Sequence, residues 1–98
     1  MTAALPEGVA RELTRLGERW QQLPLAQALS AAPRVRAFAQ SLADEAAARS
    51  GMPSTPLPDL GPAVALDQLR VTVWDALVCG VAKVRLAERL GELRRGLA

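Results

Sequence analysis

All seven prolines of this 98-residue chain lie within its first 62 residues, and they set most of the boundaries of regular structure. A proline ring fixes φ and removes a backbone donor, so it suits the first turn of a helix and breaks or kinks one further in. Pro6, Pro24 and Pro33 each open a segment with helical spacing, whereas Gly51 to Pro62 holds four prolines in twelve residues and excludes both helix and central strand. The last 36 residues contain no proline and read helical throughout.

Between the prolines the apolar residues recur at steps of three and four. Val9, Leu13, Leu16 and Trp20 form one stripe over about 6–22, with Glu7, Arg11, Glu12 and Arg15 on a solvated face. After Pro24 a short helical piece over about 24–31 is expected to turn Leu25 and Leu29 to the core. Pro33 then starts a separate helix over about 33–50, with Val35, Phe38, Leu42 and Ala46 on one side. Gly51 is its natural stop, because a left-handed residue past a helix end is cheapest for glycine. The segment that follows has the PxxP spacing at Pro53 and Pro56, and it reads as a stiff connector that Leu57 and Leu60 pin to the core.

A change of phase divides the C-terminal third. At 100° per residue Leu66, Leu69, Val73, Leu77 and Val84 fall within about 80° of one another, while Leu86, Leu90, Leu93 and Leu97 cluster about 140° away. Either the chain turns near Gly80 and both stripes face one core, or a continuous helix carries its final turns onto a second body. Glycine costs about 1 kcal/mol inside a helix relative to alanine, which favours a turn and helices over about 63–79 and 82–97.

Half of the residues are apolar but only 3% are aromatic, so the core must be thin layers of Leu, Val and Ala. Residues 1–98 are expected to form a single all-α domain, a small bundle or orthogonal packing of four to five helices with a Pro-rich connector over 51–62. A net charge of +2, with eleven of the twelve cations arginine, demands neither a phosphate backbone nor an anionic bilayer as partner. The start, Met1 to Pro6, lacks the basic and apolar regions of a secretory leader, and no apolar run approaches the roughly 20 residues of a membrane span. A cytoplasmic protein with a reduced thiol and no membrane contact is expected.

Chemistry is scarce. There is no histidine, no tyrosine and one cysteine, Cys79, which reads as a small buried hydrophobe. Asp75 stands in the most apolar stretch, Val71 to Val81, where a buried carboxylate must be paired or protonated and would mark a functional site. The favoured reading is that it reaches solvent or pairs with an arginine of another helix. Asp67 lies two turns earlier and out of line with it. Trp20, Trp74 and Phe38 sit on or beside apolar stripes and read as core anchors. With no phosphate loop and no metal-ligand spacing, neither catalysis nor a cofactor is expected.

Ala76, Gly80, Val81 and Leu86 resemble the spacing of bacterial helix-turn-helix motifs, which implies DNA contacts from Lys83, Arg85 and Arg89 on the second helix. Asp75 and Arg89 depart from that pattern where it requires apolar residues, and Glu88 and Glu92 interrupt the basic side chains. The favoured expectation is therefore a non-catalytic interaction or scaffolding domain, pairing as a homodimer or with another protein through Leu86, Leu90, Leu93 and Leu97. A DNA-binding module turning near Gly80 is the alternative.

Overall fold

Residues 4–97 are described by a computed structural model and contain four helices, with no strand among them: α1 (Glu7–Gln22), α2 (Leu25–Ser50), α3 (Pro62–Val78) and α4 (Lys83–Arg95). Met1 to Ala3 and Ala98 lie outside the described residues. The chain is all-α, as its periodicity implies.

The expected break at Pro33 does not occur, for α2 runs unbroken through it for 26 residues. Proline costs about 3 kcal/mol in a helix interior, yet Ala28, Ala32, Val35, Ala39, Leu42 and Ala46 make one buried stripe at alternating steps of four and three. Burial along that stripe outweighs the single missing hydrogen bond, and the ring of Pro33 points to solvent. The same phase turns Leu25 and Leu29 outward, 71% and 54% exposed, rather than into the core.

Helix directions follow from side-chain meetings. Gly8 lies against Ala87 and Gly91 against Glu12, so α1 and α4 run parallel. Trp20 donates from Nε1 to the Pro62 carbonyl at 3.1 Å, joining the end of α1 to the start of α3. Ser50 meets Cys79 at the C-terminal ends of α2 and α3, while Arg36 and Gln40 meet the chain leading into α3. The order is up, down, down, up: a four-helix bundle with one long crossover. The principal packing is α2 on α3 and α1 on α4.

Parallel α2 and α3 require the chain to travel back between them, and this explains the proline-rich segment. From Ser50 back to Arg36 is about 21 Å of helix, and ten extended residues reach about 30 Å. Gln40 accepts from the Leu57 amide at 2.7 Å and donates to the Thr55 carbonyl at 3.2 Å. Gln68 donates to the Pro58 carbonyl at 2.9 Å, and Arg36 pairs with Asp59 at 3.1 Å. Leu57 packs against the core as expected, but Leu60 is exposed and pins nothing.

Two glycines close the parallel pair. Gly51 (φ 68°) and Gly80 (φ 93°) are both left-handed, and the next amide in each case reaches back five residues, Met52 to Ala47 at 2.9 Å and Val81 to Ala76 at 3.0 Å. The turn at Gly80 resolves the change of phase, since it swings α4 so that its stripe meets the stripe of α3 in one core. Leu86 and Leu90 are fully buried, and Leu93 and Leu97 nearly so, in the cluster that holds Leu16, Leu42 and Leu69. The residues expected to form an intermolecular interface are thus internal. Leu13, Trp20 and Val73 are buried as expected, Phe38 and Leu77 lie at the core edge, and Val84 is exposed rather than continuing the α3 stripe.

Half-buried ion pairs seal the rim. Glu12 and Arg94 join α1 to α4 at 2.9 Å, Glu45 and Arg89 join α2 to α4 at 3.0 Å, and Arg34 donates to the Gly96 carbonyl at 2.8 Å beyond the end of α4.

Candidate interaction surface

A helix that is apolar all round is ordinarily buried all round. Helix α3 is rich in apolar residues on both sides, yet it is buried on one side only. Ala65, Leu66, Leu69, Thr72, Val73 and Ala76 face the core, and the Thr72 hydroxyl donates to the Leu69 carbonyl at 3.0 Å. On the other side Val71 is 60% exposed, Trp74 39% and Val78 72%. Val71 and Val78 differ in bearing by about 20° and Trp74 stands about 60° away, so the three make one continuous apolar stripe. Trp74 is therefore not the core anchor expected of it, in contrast to Trp20.

Ionisable groups border this stripe without entering the core. Asp75 is exposed, the solvent-facing outcome that its apolar neighbours left open, and it makes no ion pair among the described residues. Asp67 pairs with Arg70 at 3.3 Å on the same helix. Cys79 is half-exposed rather than fully buried, its sulfur 3.2 Å from the Ser50 hydroxyl. No cluster of three His, Cys, Asp or Glu side chains able to hold a metal occurs among the described residues, and no buried side-chain polar atom there lacks a partner.

The basic residues of the alternative reading are divided. Lys83 and Arg85 are exposed in the first turn of α4. Arg89 bonds Glu45 and lies over the Phe38 ring at 5.5 Å, holding the helix to α2. Although joined by a short turn, α3 and α4 pack chiefly on different helices. An apolar groove of about 450 Å³ lies between the first turns of α1 and α4, lined in part by Pro6, Val9, Val84 and Ala87.

Comparison with known protein families, with characterised proteins and with solved structures returned no match. Among the described residues no helix is long and apolar enough to cross a membrane.

The stripe on α3 left a signal in the sequence. Val64, Val71 and Val78 are spaced by seven, a second periodicity beneath the one that marks the core face. It is hidden because Val71 to Val81 is so uniformly apolar that any phase fits part of it.

Proposed function

We propose that this chain is a small non-catalytic interaction or scaffolding domain that works through the outer face of α3. The observation that carries this reading is the exposure of Val71, Trp74 and Val78 on one side of a helix whose other side is fully used by the core. Scattered surface hydrophobes need no explanation, but contiguous ones centred on tryptophan are characteristic of protein-binding surfaces. A cytoplasmic setting belongs to the same proposal. DNA binding is the second reading, favoured by the turn at Gly80 and by exposed Lys83 and Arg85, and weakened by the engagement of Arg89 with Glu45.

The test is a photo-crosslinking amino acid placed at position 71 and, as control, at position 15, in cells producing the full chain. Position 71 should capture protein, another copy or a different partner, well above the control. Equal capture at both positions would refute the reading.

A further inference from the structure

The outer face of α3 has the layout of a two-stranded coiled-coil seam. With Val64, Val71 and Val78 written as position a of a heptad, Asp67 and Trp74 fall at d, Gln68 and Asp75 at e, and Arg70 and Leu77 at g. The six buried residues of α3 all fall at b, c and f, and every residue at a, d, e or g from 64 to 78 is exposed or only partly buried. One helix thus carries two patterns, the inner for the bundle and the outer open at Val71, Trp74, Asp75 and Val78, while Gln68 at its edge holds the Pro58 carbonyl and Leu77 packs at the core edge.

Charge selects what fits that seam. We propose, building on the assignment of this face as the binding surface, that its occupant is the α3 helix of a second copy, lying parallel about a two-fold axis. In a parallel pair the g residue of one helix meets the e residue five positions on in the other. Here that brings Arg70 of each protomer to Asp75 of its partner, two opposite-charge contacts by symmetry. An antiparallel pair centred between Val71 and Trp74 would set Arg70 against Leu77 and Asp75 against Gln68, so Asp75 would meet no cation and Arg70 would keep only its own Asp67. The β-branched valines at a suit a two-stranded seam, whereas Asp67 and Trp74 stand at d in place of the usual leucine. Asp67 at d is the unfavourable element, for it places like charges near one another at the N-terminal end of a seam about 21 Å long. Its own Arg70 offsets part of that charge at 3.3 Å, and the result is a dimer that is weak and reversible.

Sedimentation equilibrium of the purified full chain tests this. The unmodified protein should dimerise below about 1 mM. Arg70→Asp and Asp75→Arg should each weaken the dimer about tenfold by setting like charges together, and the two changes in one chain should recover much of that loss, short of the original affinity because Asp67 then lacks the cation beside it. Asp67→Leu should tighten it. Val78→Cys in a Cys79→Ser background should form an intermolecular disulfide on oxidation, because only the parallel pair brings the two Val78 positions together. Asp67, Arg70, Asp75 and Val78 are exposed, and Cys79→Ser keeps a small polar group beside Ser50, so circular dichroism should report an unchanged fold. A chain that stays monomeric at about 1 mM would overturn the proposal. So would a dimer indifferent to the charge reversals, or one that fails to crosslink at position 78. Capture of a different protein at position 71 by a chain that is monomeric when pure would remove the dimer and leave the binding surface standing.

Discussion

The leucine stripe of α4 and the valine and tryptophan stripe of α3 are alike as patterns, both apolar at helical spacing, yet the bundle buries one and leaves the other in solvent. The difference lies at Gly80. Its left-handed turn reverses the chain, so a stripe about 140° out of phase along the sequence points inward once α4 packs beside α1. Helix α3 has already turned one face to the same core, and its second stripe has nothing left in the protomer to cover it. Apolar spacing therefore shows that a face seeks cover. The path of the chain decides which face finds it.

The largest effect that would break this comparison is in the core. Leu90→Ala should cost about 2–5 kcal/mol, because Leu90 is fully buried and its loss leaves a cavity, whereas Val78→Ala should stay within about 0.5 kcal/mol. Leu90→Glu together with Leu93→Glu should unfold the chain rather than yield a folded monomer. Urea unfolding midpoints and far-ultraviolet circular dichroism measure both. Similar costs at positions 78 and 90 would show that the two stripes are not divided as inside and outside.

Much of the fold was legible in the residues. The stripes of α1, the left-handed stop at Gly51, the turn at Gly80 and the extended connector follow from spacing and from proline and glycine chemistry, which act within a few residues. Pro33 misled because its penalty is local, whereas the burial of Ala28, Ala32, Val35 and Ala39 that offsets it is tertiary. Leu86, Leu90, Leu93 and Leu97 were recognisable as a face needing cover, but not as one that α1 covers, since parallel packing depends on a crossover. Trp74 reads as core in the sequence because two stripes overlap on α3, and only the bundle shows which side is used.

A smaller effect tests the hinge between the stripes. Gly80→Ala puts a side chain at φ 93°, where an L-residue is strained by about 1–2 kcal/mol. The nearest atom to an added Cβ is 3.6 Å away, from Arg49, so the cost arises from the backbone rather than from a clash. A drop in midpoint equivalent to that amount is expected. If instead stability is unchanged, α3 and α4 are not joined by this left-handed turn, and something other than Gly80 directs the α4 stripe inward.

The smallest effect concerns the connector, which holds α3 beside α2 without contributing a stripe of its own. Asp44 is fully exposed, and hydrogen bonds from the Ser54 hydroxyl and then from Gln40 hold its carboxyl below the ordinary 3.8. A group whose folded pKa is depressed contributes stability that is present in full above its unfolded value. That contribution is lost as pH falls through the unfolded value and then the folded one, and it is absent below both. Stability should therefore be insensitive to Asp44 between pH 8 and about 5, and should decline through it only below about 4. Asp44→Asn should shrink the difference between urea midpoints at about pH 6 and about pH 3, because an amide does not titrate in that range. Protection of the Ser54, Thr55 and Leu57 amides, taken relative to the intrinsic exchange rate at each pH, should fall in acid before protection at Leu69 or Leu90, since the two buried stripes contain no carboxylate. Simultaneous exchange in the connector and in both stripes would mean that connector and core open as one unit, and that the core of the bundle depends on the strap that returns the chain to α3.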